Sequence, residues 1–231
     1  ERSDGAHQLA ISIEGSQQNP AWSPDGASLV FTRFRSGYNQ EPADLVLLTR
    51  ATGATHVLVS DGSANVNLPG SSWCTLGDSP DIVFSSSRDP HDEIFVIDTR
   101  GGTGTERRLT DRAKDVAYEP SFSPDCQQIV FESHVLDAEG SGLITKYRTD
   151  GTGEYQALTA PGEDCRQPNW SPRGDLILYQ KQTNGRWDIW VMNPDGTGKH
   201  QVTSAAGDKT DASFSPDGRW IVYSSDEGDL E

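Results

Sequence analysis

Two sets of residues could carry chemistry in this chain. Asn19, Glu119, Gln167 and Asp211 occupy one position of a recurring motif, and the cations Arg33, Arg35, Arg88, His134 and Lys181, with Asp226, occupy a second one. The chain has 19 Lys and Arg against 35 Asp and Glu, a formal charge of −16, so cations gathered at related positions stand out. Guanidinium and ammonium groups bind carboxylates, so the second set reads as an anion-binding pocket for a carboxylate of a protein partner or for an acidic oligosaccharide. The competing reading is a set of ion pairs that tie neighbouring units together. A catalytic version would let His134 move a proton while Arg88 and Arg33 neutralise a uronate carboxylate.

Other chemistry has little support. The chain has no Gly-x-Ser-x-Gly, Walker loop, His-Glu-x-x-His or glycine fingerprint between a strand and a helix. Of five histidines, His7, His56 and His200 share an outer-strand position after a Gly turn, which places them on the surface, and only His91 and His134 fall near the candidate pocket. Two imidazoles do not make a three-ligand catalytic metal site, so neither metal nor cofactor is expected. Asp89-Pro-His-Asp-Glu93 reads as a solvated acidic turn rather than a cation loop. Cys74, Cys126 and Cys165 are odd in number and widely spaced. Cys126 stands where related segments carry Gly and Cys74 where they carry Ser, which favours small packed residues over a disulfide.

The elements that position these residues come from a repeat. Asn19-Pro-Ala-Trp-Ser-Pro-Asp-Gly26 returns as Glu119-Pro-Ser-Phe-Ser-Pro-Asp-Cys126, Gln167-Pro-Asn-Trp-Ser-Pro-Arg-Gly174 and Asp211-Ala-Ser-Phe-Ser-Pro-Asp-Gly218, with a degraded copy at Leu68–Gly77. The aromatic anchors Trp22, Trp73, Phe122, Trp170 and Phe214 recur at 51, 49, 48 and 44 residues, a period that suits propeller blades better than helical solenoids. In Ser-Pro-Asp-Gly, Pro presets φ for the first corner of a turn and Gly supplies the positive φ that closes it. Short apolar runs follow, such as Leu29-Val-Phe31 and Ile129-Val-Phe131, and then third strands such as Asp44–Leu48 and Asp188–Met192. Their β-branched and aromatic residues suit strands packed between sheets. Four strands in about 45 residues is the arithmetic of a blade.

These motifs, with Asp188-Ile-Trp-Val-Met-Asn-Pro-Asp-Gly-Thr-Gly198, resemble the WD-like propeller repeat of the TolB family over nearly the whole chain. The resemblance implies an all-β propeller and a periplasmic or secreted, TolB-like binding protein. The same repeat occurs in propellers of prolyl-oligopeptidase relatives and in some polysaccharide lyases, whose members would hold a divalent metal with several His and a Gln. It also implies, for TolB itself, six blades and an added α/β domain, whereas five anchors are present here.

The expected architecture is therefore one all-β domain over residues 1–231, a β-propeller of five four-stranded blades. Residues 4–11 would supply the outer strand that completes the last blade and hides its edge. The expected function is non-enzymatic: a monomeric scaffold that binds a protein or an acidic oligosaccharide through the central channel mouth. The alternative is a polysaccharide lyase-like enzyme acting on uronate-containing glycans. The negative charge argues against nucleic acid, and no run of about 18 apolar residues offers a membrane span. Trp22, Trp73 and Trp170 are expected in the core, and Phe34, Tyr38, Tyr118 and Trp187 beside the mouth.

Overall fold

The computed structural model describes residues 13–60, 62, 65–66, 73–74, 81–89, 91–101, 104–136 and 141–226. The strand expected over residues 4–11, His7 and most of the degraded repeat copy lie outside them. Among the described residues all regular structure is β, arranged as five antiparallel sheets that follow one another along the chain.

The first sheet is built from Ser16–Trp22, Ser28–Phe34, Ala43–Thr49 and Ala54–Val59 in sequence order, and the third and fourth sheets repeat that order from Asp115–Phe122 and from Cys165–Trp170. In the second sheet the inner strand is split into Asn65–Val66 and Trp73–Cys74, both paired with Asp81–Ser86. The fifth comprises Lys209–Phe214 and Ile221–Ser225. Each Ser-Pro turn closes as its residues dictate. Ser23 Oγ donates to Asp25 Oδ1 (2.6 Å) and Gly26 N to Ser23 O (2.8 Å), with Gly26 at φ 65°.

Consecutive sheets are joined by apolar clusters made from the same repeat positions. Val30 of the first sheet packs with Trp73 of the second, and the second and third sheets share Val83 and Phe122. Val130 packs with Trp170, and Leu178 with Phe214. Each anchor thus packs on the sheet before it, and Trp73 Nε1 also donates to Ala21 O of that sheet (3.1 Å). This explains one departure from expectation. Trp22, expected in the core, is 54% exposed, and Val222, the fifth-sheet counterpart of Val30, is 68% exposed. They are the two end members of the series.

The cysteines require a second correction. Cys74 and Cys126 form a disulfide that ties the second sheet to the third, while Cys165 is a buried free thiol. Cys126 takes the left-handed conformation (φ 57°) that Gly26, Gly174 and Gly218 adopt in the other turns. The turn therefore fixes its position, and the next-door repeat supplies Cys74 one period away.

Candidate functional site

The inner strands carry the site because each is interrupted at the same place. Register shifts lie between Gln18 and Ala21, Tyr118 and Ser121, Arg166 and Asn169, and Thr210 and Ser213. The bulged residues are Asn19, Glu119, Gln167 and Asp211, with φ of 51°, 54°, 50° and 52°. A β-bulge re-aims a side chain out of the ladder. Repetition of one strained conformation in four sheets brings the four side chains together. They line a single cavity of about 280 Å³ with Pro20, Pro168, Asn169 and Ala212.

The four are partly cross-linked. Gln167 Nε2 donates to Asp211 Oδ1 (3.2 Å), Asp211 N donates back to Gln167 Oε1 (3.1 Å), and Gln167 N donates to Glu132 Oε2 (3.0 Å). Glu119 has a buried Oε2 without a hydrogen-bond partner. Burial, then the adjacent Glu132 carboxylate, pushes the Glu119 carboxyl up to about 8, so the pair holds a proton near neutral pH. Glu132 is a neighbour of this cavity that the sequence reading missed. Its signal was a polar residue two positions beyond Val130, on the same face of the strand, a place taken by Thr32, Ser85 and Gln180 in other sheets.

The expected cationic set is placed differently. Arg33 and Arg35 both clamp the fully buried Asp44 carboxylate, which opposes Arg33 in the strand register. Burial alone would raise Asp44, but the hydrogen bonds from Arg35 and Arg33 outweigh it and hold it at about 2. Arg88 pairs with Glu106 and lies 4.3 Å above the Phe95 ring. His134 pairs with Glu132, and Lys181 Nζ donates to Glu163 Oε1 (2.5 Å). Every one of the five has an acidic partner, and none lines the cavity. His91 Nε2 lies 2.8 Å from Arg112 O, and Asp89 and Glu93 are both held by Arg108. Asp226 Oδ1 accepts from Asp208 N, and His56 and His200 are exposed on outer strands.

Of the mouth-side aromatics, Tyr38 is exposed and Tyr118 meets His134 edge-on at 5.8 Å. Trp187 lies 5.1 Å beneath the Arg166 guanidinium. Phe34 is buried, a correction to its expected place, because it falls within the second strand rather than beyond it. Among the described residues no group of three or more His, Cys, Asp and Glu is placed to hold a metal ion, so the donor set of a lyase-type metal does not fit here.

Glu119 makes this arrangement measurable. A carboxyl whose folded value lies above its ordinary 4.5 contributes stability below that value and loses it as pH rises through about 8. Discounted for the opening to the cavity, the effect is on the order of 2 kcal/mol, or about 4–8 °C in a domain of this size. Glu119→Gln, permanently neutral, should therefore melt higher than the parent at pH 8.5 and match it at pH 5. An equal difference at both values would assign the effect to packing instead of protonation.

Comparison with known proteins agrees with this fold. The sequence matches the family described as the TolB beta propeller domain over residues 3–231. The chain belongs to that family. It is 30% identical over 251 residues to the Tol-Pal system protein TolB of Bordetella pertussis, an alignment that covers 90% of this chain and 54% of the relative. The chain thus spans about half the length of that protein. The structure of TolB from Acinetobacter baumannii superposes with a TM-score of 0.71 at 23% identity, covering 98% of this chain and 53% of that one. An oligogalacturonate lyase from Vibrio parahaemolyticus shares the fold at a TM-score of 0.65 and 14% identity, covering 94% and 65%.

Proposed function

We propose that this chain is a non-catalytic TolB-like propeller that binds a protein partner through the mouth of its central channel, in the periplasm or outside the cell. The observation that carries the reading is the convergence of Asn19, Glu119, Gln167 and Asp211 on one cavity while His134, Arg88 and Arg33 are held apart from it in ion pairs. At about 280 Å³ the cavity is just below the usual range for small-molecule sites, so it suits a side chain or a peptide turn better than an oligosaccharide. Relatives that belong to a Tol-Pal system support a protein partner, and the disulfide suits an oxidising compartment.

In this reading residues 1–231 are one domain of five blades that works as a monomer, with residues 4–11 supplying the outer strand of the last blade; five regularly spaced anchors support the number. Deletion of residues 1–12 should then expose a sheet edge and cause aggregation.

Site-specific photocrosslinking tests the function. A benzoylphenylalanine at Asn19 should capture a defined protein from a periplasmic extract, while the same probe at the exposed His56 should not. Equal capture at both positions would reject the mouth as the binding site. An acidic saccharide would require Arg33, Arg35, Arg88 or Lys181 to exchange their acidic partners. Incubation with uronate polymers should accordingly give no unsaturated product, and product that disappears in His134→Ala would replace this reading with the lyase-like one.

A further inference from the structure

We infer that the neck of the channel is a cation-accepting socket, in which Glu119 receives a lysine or arginine side chain, or an amino terminus, of the protein partner. The inference deepens the protein-binding reading and rests on it for the identity of the ligand, but its chemistry stands on the cavity.

The neck holds acceptors and lacks cations. None of the residues lining it is Lys, Arg or His. The donors of Gln167 and Asp211 are used inside it: Gln167 Nε2 is given to Asp211, and the Asp211 and Gln167 amides are given to Gln167 Oε1 and Glu132 Oε2. The acceptor that stands out is the buried Glu119 Oε2, which has no partner. An unpartnered buried carboxyl oxygen is costly in the empty protein, where the neighbouring Glu132 carboxylate makes Glu119 keep its proton near neutral pH, and a cation is the group that can replace that proton, supplying the missing hydrogen bond and offsetting the like-charge repulsion of the ionised pair. An anion would add to the repulsion. A metal ion is the poorer fit, because the described carboxylates and imidazoles do not gather in threes around one point. The volume admits one extended side chain, and the charge of −16 steers cations toward the surface from a distance.

Gln167 and Glu132 reach the Glu119 carboxyl, and charged groups on the neighbouring strands bias it, but Oε2 is left without a partner. Glu132, on the second strand of the same sheet, is paired with His134, two residues along that strand. Asp211 approaches from the fifth sheet, and its negative field adds to that of Glu132. Arg166, on the inner strand of the fourth sheet, feels both glutamates but is engaged by Asp164 and lies over Trp187. A cation that enters the neck takes the ionised form of Glu119, so binding releases a proton and strengthens as pH rises.

The test uses n-butylguanidinium and n-butylammonium as probes, with n-butylurea and butyrate as the neutral and anionic controls. Chemical shifts of the Gln167 side-chain amide and the Asp211 amide report the neck. Both cations should shift these signals, with millimolar affinity at pH 8.5 and about 75-fold weaker binding at pH 6, where Glu119 is about 1% ionised, and the controls should not. Glu119→Gln should abolish binding, with Asp211→Asn as a second variant that weakens it. Shifts produced equally by butylurea, or absent with every probe, would overturn the socket. Random twelve-residue peptides selected on the full chain separate this result from the parent reading. Selected peptides that shift the neck signals and lose affinity when their Lys or Arg is replaced support the socket. Selected peptides that shift the neck without any basic residue overturn the socket and leave protein binding standing. If no peptide touches the neck while the small cations still bind, the socket stands and the protein-binding reading falls.

Discussion

Reduction of the Cys74–Cys126 disulfide should lower the stability of this protein by about 4 kcal/mol, and the melting temperature by about 8–16 °C. The bond closes a loop with a sequence separation of 52 residues, long enough that its chain-entropy effect falls between the roughly 3 kcal/mol of a short loop and the roughly 4.7 kcal/mol of a 100-residue one. Its position makes the effect global. Cys74 and Cys126 both belong to or abut the apolar cluster shared by the second and third sheets, so the bond fixes an interface between blades and not a strand within one. Cys74→Ser with Cys126→Gly should lose less than chemical reduction, because Gly relieves the left-handed backbone at position 126 at a gain of about 1 kcal/mol. Melting curves with and without dithiothreitol, beside those of the double variant, decide the matter. A melt that ignores the reductant, with both thiols then open to alkylation, would mean that the cross-link contributes nothing.

The elements that the sequence announced are those set by local chemistry. Ser-Pro-Asp-Gly specifies its turn through one proline and one positive φ, and the observed Ser23, Asp25 and Gly26 bonds follow from those residue types. The convergence of Asn19, Glu119, Gln167 and Asp211 on one cavity was legible for the same reason, since a repeat puts equivalent residues in equivalent places, and their bulges share one conformation. What stayed hidden depends on contacts across strands. Arg33 looked available for a ligand because its partner Asp44 lies opposite it on the next strand, a pairing that needs the register and not just the repeat phase. Glu132 escaped notice because it sits in a strand read as core, where one buried carboxylate changes the charge of the whole neck. The disulfide was missed because Cys126 was read as a stand-in for Gly. The backbone agrees with that reading, and the thiol needed only a neighbouring blade to find Cys74.

Equivalent anchors should differ sharply in what they contribute, and this gives the other large effect. Trp170 is 4% exposed and packs with Val130 and Ile144 of the preceding sheet, and its backbone N donates to Ser121 Oγ at 2.9 Å. Trp170→Ala removes that packing and leaves a cavity between two blades, at a cost of about 3–5 kcal/mol, or roughly 6–20 °C in melting temperature. Trp22 holds the same place in the repeat but is 54% exposed, so Trp22→Ala should cost about 1 kcal/mol where the face of the first sheet is open, whereas a ring closed between the first and fifth sheets requires a cost near that of Trp170→Ala. Urea unfolding of the two variants, compared at constant m-value, reads the difference directly. The comparison also reports on the ends of the array. Trp22 and Val222 belong to the first and the fifth sheet, and each presents the half of an interface that is buried wherever two described sheets meet. A Trp22→Ala cost as large as that of Trp170→Ala would mean that the face of the first sheet is covered in solution. The same variant would then lose its tryptophan emission from an apolar site instead of a wet one, and the stability of the propeller would rest on five such interfaces in place of four.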